Sequence, residues 1–268
     1  MSMQIKNILT ISALSVAIAF SSSAFAKDGK IKVGIQVGPE MSVAETAKQI
    51  AKDKYGLEVE LVPFTDYVTP NAALENKLID ANAFQHKPYL DSQMKDRGWT
   101  DLVIVGNTFV YPIAAYSKKI KDIKELKDGA TVAIPNDPTN GGRALLLLQA
   151  QGLLKLKEGT GLTPTTLDIV DNPKNLNIKT LDANLIPRTL GQVDLAIINN
   201  TFAGAAGLYP SKDAVFVEDK DSPYVNIIVA REDNKADPDV QNFVKAYNTE
   251  EVYKKAMTEF KDSVVKGW

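Results

Sequence analysis

An α/β fold divided into two lobes is what this sequence predicts, and three observations predict it. From Lys30 the chain reads as a strand, a helix and a second strand, a connection long enough to cross over and set the strands parallel. A second cycle of strand, turn-rich loop and apolar helix opens near Ile123. The chain is also long enough to bury two cores.

Residues 1–26 stand apart from that fold. Lys6 is followed by an apolar run from Ile8 to Phe20 and then by Ala24-Phe25-Ala26, the layout of a secretory signal peptide cleaved before Lys27. The run is too short to span a bilayer, and no later stretch is long and apolar enough, so no direct membrane span is expected. Taking 26 residues from 268 leaves 242 and removes Lys6 but no acid, so 30 Lys+Arg face 33 Asp+Glu and the formal charge is −3. That balance gives no reason to expect nucleic acid or an anionic membrane surface as partner. With zero cysteines, disulfides, thiolate nucleophiles and thiolate metal sites are excluded, and an exported chain must hold together by packing.

Ile31, Val33, Ile35 and Val37 alternate in the first strand, which Gly38-Pro39 ends. Ser42 and Glu45 stand in capping-box spacing before a helix with Val43, Ala47, Ile50 and Ala51 on one face and Gly56 as terminator. Residues 57–62 alternate again as the second strand, and Asp66 or Thr69 can cap a short helix through Asn71, Ala73 and Leu74. Residues 78–84 read as the third strand and 88–95 as a helix closed near Gly98. Two extended runs, 102–105 and 109–115, then lead out of the first lobe, interrupted by Gly106-Asn107-Thr108 and Pro112. In the second cycle, a short helix and turn over 123–129 precede a strand at 131–134, a loop over 135–143 and a buried helix over 144–151. Short strands follow at 168–170, 193–198 and 215–217, and the apolar run 224–230 returns the chain to the first lobe. Two helices close it, the first with Phe243, Val244 and Tyr247 on one face, the second with Val252, Tyr253, Ala256 and Phe260. The division expected is 27–111 with 225–268 as one lobe and 112–224 as the other.

His86 is the single histidine of the chain and lies in the run Asp80-Ala81-Asn82-Ala83-Phe84-Gln85-His86-Lys87-Pro88-Tyr89. That run is a strand-to-helix connection, where α/β proteins hold small ligands. Tyr67, Phe84, His86 and Tyr89 can line a flat, partly apolar pocket. The other reading makes the aromatics ordinary core and His86 a capped surface residue. Arg143 falls at the start of the expected helix, where a cation beside the positive dipole end costs up to about 1 kcal/mol unless an anion binds there. With Gly141-Gly142 admitting close backbone approach and Thr139 or Asn140 as cap, helix amides and guanidinium together would cradle a carboxylate. A solvated arginine paired with a surface acid is the alternative. Asn199 and Asn226 sit at ends of apolar strands, where an amide can meet a zwitterion without fixed charge or can simply form a turn.

Catalytic and cofactor readings fare poorly. The sequence holds no G-x-S-x-G, no H-E-x-x-H and no phosphate-binding G-x-x-x-x-G-K, and one histidine cannot furnish a His-rich metal site. Gly159-Thr160-Gly161 lacks the third glycine of a dinucleotide fingerprint. No cofactor is expected.

The run around His86, together with Ala51-Lys52-Asp53-Lys54-Tyr55-Gly56-Leu57, Gly106-Asn107-Thr108-Phe109-Val110-Tyr111-Pro112-Ile113-Ala114, Pro135-Asn136-Asp137-Pro138-Thr139-Asn140, Val217-Glu218-Asp219-Lys220-Asp221-Ser222-Pro223-Tyr224-Val225-Asn226 and the Val265-Lys266-Gly267-Trp268 end, closely resembles the MetQ/NlpA family. These are methionine-binding lipoproteins that serve ABC importers. The resemblance covers essentially all of the chain after the leader. It implies a two-lobed periplasmic-binding-protein fold of type II kind, hinged between the lobes, that closes on methionine and hands it to the permease subunits of an importer. By the same resemblance, Tyr67, Phe84, His86 and Tyr89 would surround the thioether, Arg143 would pair with the α-carboxylate, and Asn199 and Asn226 would hold the α-amino group. L-methionine is the expected ligand, with D-methionine as its stereochemical rival. Another small amino acid or a methionine-containing dipeptide is the nearest alternative, and a periplasmic enzyme using His86 as base is a more distant one. One departure stands out: family members end their leader at a lipid-modified cysteine, whereas Ser21-Ser22-Ser23-Ala24-Phe25-Ala26 has none. The expectation is therefore a periplasmic protein without a lipid anchor.

Overall fold

The computed structural model describes residues 29–219 and 221–268, so the leader expected over residues 1–26 lies outside the described residues. In chain order the elements are β1 (Lys30–Gln36), α1 (Pro39–Tyr55), β2 (Glu58–Phe64), α2 (Thr69–Glu75), β3 (Ala81–His86), α3 (Lys87–Arg97), β4 (Leu102–Val110), β5 (Ala114–Tyr116), β6 (Thr131–Pro135), α4 (Pro138–Ala150), β7 (Lys155–Leu156), β8 (Ile169–Asp171), β9 (Asn177–Leu181), β10 (Leu195–Ile198), α5 (Asn200–Ala205), α6 (Pro210–Asp213), β11 (Ala214–Val217), β12 (Val225–Arg231), α7 (Pro238–Tyr247), α8 (Glu250–Glu259) and β13 (Val265–Lys266).

Two sheets organise these elements. The first has the order β13-β4-β12-β3-β1-β2, and the second β11-β5-β10-β6-β9. The opening β-α-β unit is parallel, with Val33 opposite Leu61 and again opposite Ala81, so α1 crosses over one face of the first sheet. The returning strand β12 runs antiparallel between β3 and β4. In the second sheet β6 is parallel to both β9 and β10, while β5 is antiparallel to β10 and β11.

Each sheet is covered on both faces, which is why β3 and β10 are buried at every position. On the first, Val43, Ala47 and Ala51 of α1 pack with Phe243, Tyr247, Val252 and Phe260 against Ile31, Val33 and Ile35. The opposite face seats Leu74, Ile79 and Leu90 on Ile227 and Val229. On the second sheet, Leu145 and Leu148 of α4 cover Val132, Ile134, Leu195 and Ile197, and Ile186, Leu190 and Phe202 cover Ala133, Ala196 and Ile198.

Several boundaries differ from expectation for identifiable reasons. Helix α1 starts at Pro39, not at a Ser42 capping box: proline with its fixed φ takes the first position, and Gly38 stands before it at φ 97° with no side-chain cap. Strand β4 runs unbroken through Gly106-Asn107-Thr108, absorbing them as register shifts against β12. The third strand is displaced toward the carboxyl end, covering residues 81–86 instead of 78–84, because it pairs with β12 as far as His86 opposite Asn226. The strand expected at 168–170 is β8, but its ribbon partner β7 and the edge strand β9 were not anticipated; they are short and largely exposed, so hydrophobic periodicity marks them poorly.

The largest revision concerns α4. Its first residue is Pro138 and its cap is Asp137, whose carboxylate accepts from the Asn140 backbone N–H at 2.8 Å. Neither Thr139 nor Asn140 is the cap, and Arg143 is the sixth helical residue, beyond the first turn where the dipole penalty applies. Gly141 and Gly142 also serve packing rather than ligand approach. A Cβ at Gly141 would stand 2.8 Å from the Pro135 carbonyl oxygen, and one at Gly142 2.6 Å from that of Leu162.

Candidate ligand-binding site

Residues from both sheets line a cleft with about 320 Å³ of empty space, open solvent included. All seven residues singled out by sequence line it: Tyr67, Phe84, His86, Tyr89, Arg143, Asn199 and Asn226. The first four and Asn226 come from the first lobe, Arg143 and Asn199 from the second. Phe84 and His86 end β3, Tyr89 stands in the first turn of α3, Arg143 lies on α4, and Asn199 follows β10.

At one end the wall is aromatic. The Tyr67 ring lies 5.8 Å from Phe84 and 6.0 Å from Tyr89, and 4.6 Å from Phe202 of the opposite lobe. The Tyr89 hydroxyl donates to the Tyr67 carbonyl at 2.8 Å, which fixes both rings. Beneath them Asn71, Asn82 and Gln85 satisfy one another in a buried amide cluster that locks the end of β3.

His86 is neither a surface residue nor free. It is the N-cap of α3, its Nδ1 accepting from the Tyr89 backbone N–H at 3.2 Å, so the proton must reside on Nε2. Nε2 then donates to Asn140 Oδ1 at 3.1 Å across the cleft. Burial first, and then the nearby Arg143 charge, push the imidazole down to about 3, in keeping with that neutral tautomer. The Asn140 oxygen also accepts from Asn199 Nδ2 at 2.7 Å, while its own Nδ2 faces the Asp137 carboxylate.

Arg143 is 3 % exposed and already engaged. Its Nε and Nη2 donate to the two oxygens of Glu218, Nη2 donates to the Tyr111 carbonyl at 3.0 Å, and the guanidinium lies 4.3 Å over the Tyr224 ring. The solvated-arginine reading is thus excluded, and so is a guanidinium devoted wholly to ligand: only its Nη1 edge is uncommitted among the described residues. The Asn199 Oδ1 and Asn200 Oδ1 atoms, both buried, have no hydrogen-bond partner, although Asn200 Nδ2 reaches the Ser263 carbonyl at 3.4 Å. Asn226 belongs to β12 opposite His86, so it is no turn former.

Sequence reasoning missed Gln85, Tyr111, Asn140, Asn200 and Thr201 as cavity residues, and Glu218 as the partner of Arg143. The Val217-Glu218-Asp219 segment and the doublet Asn199-Asn200 were visible, but a pairing that spans 75 residues leaves no trace in local spacing. Among the described residues no helix is long and apolar enough to cross a membrane, and no cluster of His, Cys, Asp and Glu could hold a metal.

The family model for NlpA lipoprotein matches residues 31–268. The D-methionine-binding lipoprotein MetQ of Escherichia coli K12 is 63% identical over 240 residues, 89% of this chain and 88% of its own. The probable D-methionine-binding lipoprotein MetQ of Haemophilus influenzae is 56% identical over 99% of this chain and 100% of its own. Among solved structures, that of the methionine-binding protein MetQ superposes with a TM-score of 0.88 at 63% identity, covering 90% of this chain and 98% of the other. A nutrient-binding protein from Burkholderia cenocepacia bound to methionine gives 0.86 at 49% identity, covering 89% and 100%. The family and both MetQ sequences are described as lipoproteins, which lends no support to the expectation of an unanchored protein. The motifs, the two-lobed periplasmic-binding-protein architecture and the match over nearly the whole described chain agree: the chain belongs to the NlpA lipoprotein family, the MetQ/NlpA family that its motifs resemble.

Proposed function

We propose that this chain is a periplasmic solute-binding protein that closes on methionine and delivers it to the permease subunits of an ABC importer. The observation that carries this reading is the polarity of the cleft: a wall of rings at one side, and a guanidinium edge with orphaned amide oxygens at the other. A zwitterion with an apolar, sulfur-bearing tail matches both ends. Arg143 Nη1 takes the α-carboxylate, the Asn199 and Asn226 amides take the α-ammonium, and Asn200 Oδ1 offers one more acceptor. Tyr67, Phe84, His86 and Tyr89 sheathe the thioether, each sulfur–ring contact contributing roughly 0.3–1.5 kcal/mol. The lobes move about the two crossings between the sheets, β4 to β5 and β11 to β12. An enzymatic reading is disfavoured because His86 spends its one acceptor nitrogen on the Tyr89 N–H and so has no lone pair for base chemistry.

A thermal-shift panel of amino acids on protein freed of bound solute tests the reading. At a hundred times its Kd a ligand adds about 2.7 kcal/mol, which is about 5–10 °C for a chain of this size. L-Methionine is expected to give that shift, D-methionine to report stereoselectivity, and glutamate and lysine to give none. A flat panel would sink the proposal.

A further inference from the structure

Glu40 lies outside the cavity lining, yet its carboxyl is 2 % exposed at the start of α1. The hydroxyl of Thr201, on α5 of the opposite lobe, donates to its Oε1 at 2.5 Å. Thr201 does line the cavity, and its hydroxyl also meets that of Tyr67. One hydroxyl of the second lobe is therefore held between two groups of the first. Around this point the lobes meet closely: a Cβ on Gly38 would stand 3.0 Å from Ala205 Cβ, one on Gly204 2.9 Å from Pro39 Cγ, and Ser211 Oγ donates to the Lys261 carbonyl at 2.9 Å. The groups that face Glu40 from other elements are Tyr67 of the β2–α2 connection, Tyr111 beyond β4, Tyr247 of α7 and Thr201 of α5, all uncharged hydroxyls. Thr201 is the one of these that leaves when the lobes part.

We propose that Glu40 is a positioning residue that latches the closed form through Thr201, and that parting the lobes admits water to its carboxyl, so that closure on the ligand takes up a proton. The inference rests on the methionine reading above. Burial pushes the closed-form carboxyl from 4.5 up to about 8, against the outweighed pull of the Thr201 hydroxyl. A raised value means that the latch is complete below about pH 4.5 and is lost as pH rises through about 8. His86 acts in the opposite sense: burial and the Arg143 charge hold the imidazole down in the closed form, so any relief of the two on opening makes closure expel a proton, and only below about pH 6.5. Near pH 7.5 only Glu40 remains.

Calorimetric titration with L-methionine, in buffers of differing ionisation heat, counts the protons. Wild type is expected to take up roughly half to one proton at pH 7.5. The Glu40→Gln variant is expected to take up none at pH 7.5, and at pH 5.5 to fall below wild type by about one proton. From pH 7 to 8.5 the wild-type affinity should fall about five- to tenfold relative to Glu40→Gln, a ratio that removes the titration of the ligand's own amine. Methionine binding without uptake by wild type at pH 7.5, or uptake that survives Glu40→Gln, overturns the latch. Should Glu40→Gln fail to fold, the wild-type proton count decides alone. A protein that binds no methionine at either pH overturns the methionine reading, and the latch with it.

Discussion

Replacing Arg143 with alanine is expected to weaken methionine binding by roughly one to two orders of magnitude. A charge-assisted contact to the ligand carboxylate is worth about 1.5–3 kcal/mol, and each 1.4 kcal/mol is about tenfold in affinity. The substitution also strands Glu218, whose side chain is only 14% exposed. Removing one member of a buried pair costs about 3–5 kcal/mol, so the ligand-free protein should melt lower as well. The double variant Arg143→Met with Glu218→Leu separates the two effects: stability should largely return, because no charge is left unpaired, while binding should not. Calorimetry that finds Arg143→Ala binding methionine as tightly as wild type would remove the guanidinium from the ligand site.

Asn140→Leu is expected to be nearly as damaging to binding while lowering the stability of the ligand-free protein less. Its amide is the junction between lobes: the oxygen accepts from His86 Nε2 on one side and from Asn199 Nδ2 on the other. Leucine is close in size but leaves both donors buried without partners, at about 1–3 kcal/mol each. The His86 share of that penalty falls on the closed form, because this contact exists only while the lobes are together, whereas Asn199 shares a lobe with Asn140. Affinity should therefore drop about ten- to hundredfold, whereas the Asp137 cap of α4, which bonds the Asn140 backbone, survives. An unchanged Kd in this variant would show that the His86–Asn140–Asn199 chain does not help to hold the closed form.

How far the sequence carried this picture depends on the range of the interaction. The opening β-α-β unit, the Gly56 and Gly98 helix ends and the buried apolar helix around Leu145 and Leu148 were legible, because each is a local periodicity or a backbone preference. Helix α4 was started too late, since Pro138-Thr139-Asn140-Gly141-Gly142 reads as turn chemistry until Asp137 is recognised as its cap. In the cleft, the residues that carry rings or charge stood out in one dimension. Those that position them did not: Glu218 reaches Arg143 over 75 positions, Asn140 reaches His86 over 54, and Glu40 meets Thr201 over 161. Such partners are created by the topology of two sheets joined at two crossings, and no window along the chain contains both members.

The Arg143–Glu218 ion pair has a consequence for which nutrients are turned away. Because the guanidinium arrives with its counter-ion, and His86 is held neutral, the polar end of the cleft is electroneutral before anything enters. A solute whose own charges sum to zero leaves that balance intact. Lysine or glutamate would bring a net charge to an arginine whose partner is already in place, at several kcal/mol. Discrimination by total charge thus operates before the shape of the tail is tested.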